Sequence, residues 1–444
     1  MRRSVGHRRR HRSAGHRRRH RRLLRGSEGP CLSQAAPVVY LDHAASTPLR
    51  PEAAEAMIDV LGSDYGNPSG AHRLARTSRR LIDDARDTLA AGLGCSPGEI
   101  VFCAGGTEAD NLAVFGVAAA TGGTVVCSAV EHHAVLHPVE HLGGRIVAVD
   151  RLGRLDLEAL ADALDETVCL VSVMLANNET GVVQPLDEIA ALMAELAPSA
   201  VLHTDAVQAF PWLDVASMAA PAQLISVAAH KFGGPKGVGA LAVRAGTALE
   251  PQMLGGGQER GLRSGTHNTP GIVAMGVAAG ATVAERPATV ERVGALRDRL
   301  VDGIRAVVPD VVETGVETPG QHRVETPGQH RVETPGQHRV EKPGQGRVDR
   351  SGKVAGSAHL CFPGVESEAL LFLLEQSGIM ASAASSCASG AQDPSHVLAA
   401  MGYDRALAGS SLRLSLGHAS TDADVDHALA VVPDAVAHLR AAGS

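Results

Sequence analysis

From Val38 onward, short β-branched runs alternate with segments whose apolar residues recur at helical spacing. Over 76–93, Leu81, Ile82, Ala85 and Leu89 fall on one face, which predicts an amphipathic helix. Strands are predicted at 99–103, 123–128, 145–149, 169–175, 200–203, 224–228 and 238–243, with helical patterns between most of them, notably 187–197 after Pro185. Regular alternation of this kind implies parallel βαβ units and a sheet covered on both faces. A large α/β domain is expected over 38–280. A helix around 289–308 then leads into a smaller α+β domain over 281–444.

Two segments stand outside this pattern. Residues 1–37 carry two near-copies of Gly-His-Arg-Arg-Arg-His-Arg and almost nothing apolar, so they are expected to be a disordered tail. They lack the apolar core of a secretory signal. The octad V-E-T-P-G-Q-H-R fills 316–323, 324–331 and 332–339, and a degenerate copy fills 340–347. Proline and glycine in each copy oppose both helix and strand, which predicts a flexible insertion in the small domain.

Composition narrows the function. The first 25 residues hold twelve Arg and no acid, which leaves 29 basic against 48 acidic residues in the rest. So acidic a body, with only ten aromatic residues in the whole chain, is not expected to bind nucleic acid. No run approaches the ~18 apolar residues of a membrane span, so a soluble, cytoplasmic protein is expected. Seven cysteines without a C-x-x-C pair fit neither a disulfide framework nor a structural zinc site.

The candidate chemistry lies just after the predicted strands. Gly105-Gly106-Thr107-Glu108 opens a helix, where N–H groups without partners can cradle phosphate. Glu131-His132-His133 could set an imidazole against a ring. Asp205, with Gln208 three residues on, is a carboxylate of the kind a pyridoxal ring nitrogen needs, although in isolation it is as often a helix cap. His230-Lys231 precedes a Gly-rich turn, and a buried lysine there can form a Schiff base. Lys236 is a rival, expected to lie beyond the loop's turn. Ligands of open parallel sheets bind outside the carboxyl ends of the strands, so these clusters should share one crevice.

With Tyr40-Leu41-Asp42-His43-Ala44-Ala45-Ser46-Thr47-Pro48, Gly66-Asn67-Pro68-Ser69, Asn177-Asn178-Glu179-Thr180-Gly181, the run 255–266 and Ser411-Leu412-Arg413-Leu414-Ser415-Leu416-Gly417, the chain resembles the NifS/IscS-like cysteine desulfurases of the class V, fold type I pyridoxal-phosphate enzymes. The resemblance implies a mostly parallel seven-stranded sheet with a smaller α+β domain, pyridoxal 5'-phosphate as cofactor and a homodimer. It implies that Lys231 forms the Schiff base, Asp205 faces the ring nitrogen, Gln208 the phenolic oxygen, and His132 stacks on the ring and moves protons. Gly106, Thr107 and His230 would bind the phosphate, helped by Thr266 of the neighbouring subunit. Asn178 and Arg413 would hold the substrate.

In the family the nucleophile sits in a Ser-rich loop, which here is 381–390 with Cys387. The implied reaction takes sulfur from L-cysteine, releases alanine and leaves a persulfide on Cys387. The sulfur would go to an iron–sulfur scaffold or a tRNA-thiolation enzyme. No metal site of its own is expected, although Cys387 could transiently ligate a cluster shared with a scaffold. The alternatives are a selenocysteine lyase or another class V activity, and a non-catalytic scaffold of the same fold. Two departures stand out: Ala228 replaces the family's phosphate-binding serine, and the octads are no family feature.

Overall fold

The computed structural model describes residues 38–317, 348–383 and 394–443. The Arg-rich tail, most of the octads and Cys387 lie outside them. Twelve strands are present among the described residues: β1 (Val39–Tyr40), β2 (Ile100–Cys103), β3 (Thr124–Ser128), β4 (Arg145–Val147), β5 (Val168–Ser172), β6 (Val201–Asp205), β7 (Leu224–Ala228), β8 (Gly239–Val243), β9 (Val312–Glu313), β10 (Ser357–Cys361), β11 (Ile379–Met380) and β12 (Ser411–Ser415). Seven of them form one sheet in the order β2-β8-β7-β6-β5-β3-β4. Only β8 runs against its neighbours; the remaining pairs are parallel.

Alternation along each strand explains why this sheet is hidden on both sides. On β2, Ile100 and Phe102 enter one core cluster and Val101 and Cys103 the other. The first cluster is covered by the helix Arg73–Leu93, through Ile82, Ala85 and Leu89. The second is covered by the helices Gly106–Thr121 and His133–His141. Parallel strands need such crossovers, and the crossovers fill both faces.

Three other β pairings complete the chain. β10 lies between β9 and β12, antiparallel to each. β1 joins β11 in parallel, Val39 opposite Ile379, so the first described strand is tied to the last third of the chain.

Element limits differ from the sequence expectation where tertiary contacts intervene. The helix expected at 289–308 is Thr269–Val307, with Pro287 inside it. A proline removes one helical hydrogen bond and normally marks a break. Here the first turns bury Ile272, Ala274, Met275, Ala278 and Ala279, and that packing carries the helix through. Gly276 lets it approach closely, since a Cβ there would meet that of Ala85 at 2.7 Å. β5 ends at Ser172 rather than 175, although Val173 and Leu175 still donate to His203 and Asp205 carbonyls at 3.0 and 2.9 Å.

Candidate active site

The carboxyl ends of β2, β3, β6 and β7 meet, as the sheet's topology requires. After β2 the chain turns at Gly105 into the helix Gly106–Thr121. A Cβ on Gly106 would lie 2.9 Å from Val207, so only glycine lets the helix start this near β6. Gly106, Thr107, Asn111, His230 and Lys236 line a cavity of about 820 Å³. Lys236 therefore faces the site. It is solvent-exposed, at the end of the turn through Gly233 and Gly237, both at positive φ.

Lys231 sits in a short turn after β7, and its Nζ donates to the main-chain carbonyl of Ala44. With Gln208 it also lines a smaller cavity of about 30 Å³ beside His43 and Thr47. Asp205 ends β6, buried, with Oδ1 accepting from Val207 N at 2.8 Å. Burial lifts its carboxyl to about 6, against the pull of the Val207 N–H and the Lys231 charge. His132 caps the helix His133–His141, its Nδ1 accepting from Ala134 N at 3.1 Å, so the neutral ring carries its proton on Nε2. Burial first, then the charge of Lys231, holds that imidazole down to about 4. It is neutral at physiological pH and able to exchange a proton.

Arg413 is buried on β12. One of its nitrogens donates to the Asn178 carbonyl at 3.0 Å, and another pairs with Asp42 at 2.8 Å. Its Nε has no partner. The Asn178 carbonyl is presented by a turn that Asn177 builds, its Oδ1 accepting from Glu179 N and Thr180 N at 2.9 Å each. Thr266 is exposed and does not line the cavity.

Cys387 lies outside the described residues, but the chain on either side of it does not. Before it, Ser382 and Arg413 exchange main-chain hydrogen bonds of 3.3 and 2.7 Å. After it, Ser395 Oγ donates to Glu179 at 2.5 Å, and His396 Nε2 lies 3.0 Å from the Glu131 carbonyl, next to His132. Four of the described cysteines, Cys95, Cys103, Cys127 and Cys361, are held as thiols and so are poor nucleophiles. Burial pushes the Cys95 thiol up to about 11, Cys361 to about 12, and Cys103 and Cys127 higher still.

Sequence reasoning missed a buried polar row beneath Asp205. His203 lies 2.7 Å from Ser172 Oγ, 2.9 Å from Ser226 Oγ and 3.6 Å from Asp110. Glu131 is fully buried, with Met174 N on one oxygen at 2.8 Å and no partner on the other. Burial raises the carboxyls of Asp110 and Glu131 well above the ordinary range. The signal was present: His203 is two residues before Asp205 on one strand, hence on the same face, and Asp110 is one helical turn from Gly106.

The family pattern for Aminotransferase class-V matches residues 39–318. The chain is 42% identical over 421 residues to an IscS-like cysteine desulfurase of Mycobacterium tuberculosis, covering 91% of this chain and 98% of that one. It is 37% identical to the cysteine desulfurase IscS of Methanosarcina thermophila, over 94% and 96% of the two chains. Among solved structures, a NifS-like protein superposes with a TM-score of 0.77 at 31% identity, covering 90% of this chain and all of that one. DndA from Streptomyces lividans gives 0.64 at 31% identity, over 85% and 99%. The chain belongs to the cysteine desulfurases of the class-V aminotransferase family.

Desulfurases of this family depend on pyridoxal phosphate. The residues present fit that group. Gln208 Oε1 and His230 Nδ1 are buried without partners, and the helix start leaves its first N–H groups to a ligand. Among the described residues no cluster of His, Cys, Asp and Glu could hold a metal ion, and no helix is long and apolar enough to cross a membrane.

Proposed function

We propose that this desulfurase takes the sulfur of L-cysteine onto Cys387 and releases alanine, with Lys231, Asp205, His132 and Arg413 as the working residues of a pyridoxal-phosphate site. The observation that carries this reading is the anchoring of the Cys387 segment. One flank is hydrogen-bonded to Arg413 and the other reaches Glu131, the residue before His132. The described residues on either side of that segment thus stand beside Arg413 and beside His132.

Gly106, Thr107 and His230 would hold the phosphate, Gln208 the phenolic oxygen and Asp205 the protonated ring nitrogen; Asn178 would also approach the cofactor. When bound, the cofactor supplies an electron sink for the substrate's Cα. Lys231 moves the Cα proton, and His132, neutral with its proton on Nε2, exchanges protons beside it. Arg413 grips the substrate carboxylate beside Asn178, using the edge that carries its unpartnered Nε. A Cys387 thiolate attacks the substrate sulfur. The S–S bond forms as the Cβ–S bond breaks, the electron pair stays with carbon, and a proton completes alanine. Cys387 keeps the sulfur as a persulfide.

The persulfide then passes to an acceptor protein, an iron–sulfur scaffold or a tRNA-thiolation enzyme in the cytoplasm. A homodimer would add Thr266 of the second subunit to the phosphate site. The deciding measurement, with a thiol reductant present to discharge the persulfide, is release of sulfide and alanine from cysteine by the wild type and by Cys387→Ser. Alanine and sulfide in equal amounts from the first and none from the second is the expected result.

A further inference from the structure

We propose that Lys236 is a phosphate anchor in this chain, taking over a contact that the alanine at 228 does not make. The proposal rests on the pyridoxal-phosphate assignment above. Position 228 faces the start of the helix Gly106–Thr121: its Cβ lies 3.6 Å from where a Cβ on Gly106 would stand. A serine there would present a hydroxyl to the phosphate cradle. Alanine presents a methyl group.

The remaining cradle is short of charge. The helix start offers N–H donors and only a partial positive charge. His230 cannot supply a full one near neutrality, because burial and the charges of Lys231 and Lys236 hold it at about 4. Glu108, also on the cavity wall, is answered by Arg263 at 2.7 and 3.2 Å. Lys231 is committed to the carbonyl group of the cofactor. Among the described residues lining this cavity, Lys236 is the only lysine or arginine. A phosphate carrying close to two negative charges needs such a partner, and a lysine serves it as a point charge.

The test titrates apoprotein with pyridoxal phosphate and with pyridoxal, following the visible absorbance of the bound form, and uses inorganic phosphate as competitor. Lys236→Gln should weaken pyridoxal phosphate about tenfold, in line with loss of a charge-assisted hydrogen bond. Pyridoxal, which makes no phosphate contact, should keep its affinity. Inorganic phosphate should compete less well by the same factor as pyridoxal phosphate. Lys236→Arg should restore binding, and Ala228→Ser added to Lys236→Gln should recover much of the loss. Salt should weaken the wild type more than Lys236→Gln. Equal losses for both ligands, or no loss for pyridoxal phosphate, would overturn the proposal. A wild-type protein that binds neither ligand would overturn the cofactor assignment and this proposal with it.

Discussion

Arg413 Nη2 lies 2.8 Å from Asp42 Oδ1, so the guanidinium assigned to the substrate already has a carboxylate of its own. The two come from opposite ends of the chain and meet because Asp42 bridges to Ser415 of β12. Asp42 fixes the fork, and a substrate carboxylate must share it. Arg413→Lys should therefore raise KM for cysteine by about tenfold or more, since an ammonium cannot hold Asp42, the Asn178 carbonyl and substrate in one plane. Asp42→Asn should be milder, as asparagine still accepts a hydrogen bond. A fall in kcat with KM unmoved in the lysine variant would sink the substrate role.

Lys231→Ala should bind pyridoxal phosphate without the visible band of a Schiff base and should not turn over. Absorbance spectra before and after adding cofactor check this. An unaltered spectrum would move the assignment to another lysine.

Cys387→Ser should still bind cofactor and respond spectroscopically to cysteine, yet release no sulfide, because a serine hydroxyl is a poor nucleophile towards sulfur. Wild-type protein given cysteine without reductant should gain the mass of one sulfur atom on the peptide holding Cys387. Sulfur found instead on Cys103, Cys127 or Cys361 would contradict the thiol pKa pattern, in which burial disfavours each of those thiolates.

Cofactor binding should carry the titration of Asp205. Its buried carboxyl is raised from 3.8 to about 6 in the apoprotein, so below pH 6 it takes up a proton and ceases to be a counterion. Because the folded value exceeds the unfolded one, ionisation costs the apoprotein stability as pH rises from 3.8 towards 6. The protonated ring nitrogen reverses that cost. The rise in melting temperature on adding pyridoxal should therefore grow from pH 4 to pH 7 in the wild type. In Asp205→Asn it should be smaller and nearly independent of pH over that range.

The octads interrupt a segment whose two ends are pinned. Arg350, beyond the repeats, donates to Glu313 of β9, before them, at 2.8 and 2.9 Å, and to Asp302 at 2.6 Å. Both partners of the first pair are buried. Arg350→Ala should cost about 3 kcal/mol, because Glu313 is left buried with only the longer contacts to Arg305 at 3.4 Å and Lys353 at 3.8 Å. Shortening 316–347 to one octad keeps both anchors and should leave activity within a few-fold. Denaturant titration reads the first effect and a sulfide assay the second.

The strand–helix alternation was legible because each parallel strand is apolar over a short run and is followed by an amphipathic crossover. That is why β7 matched the expected 224–228 residue for residue. The long helix was expected only from 289, whereas it begins at Thr269, because the packing of Ile272 and Met275 that carries it through Pro287 is visible only in three dimensions. That Lys236 borders the cavity of Gly106 and His230 is likewise visible only in three dimensions.

The sequence by itself determined the order of strands and helices, the kinds of residue at each strand end, and the family whose motifs they spell. All of these are local in the chain, set by periodicity, turn chemistry and short runs of residues. Only the tertiary structure decided that Asp42 holds Arg413 across 371 positions, that His203 and Asp110 lie under Asp205, and that Lys236 faces the cavity. Those contacts join elements far apart in sequence. They exist because burying both faces of the sheet brings His203, Asp110, Asp205 and Arg413 into surroundings of low dielectric, where each polar atom must find a partner or await a ligand.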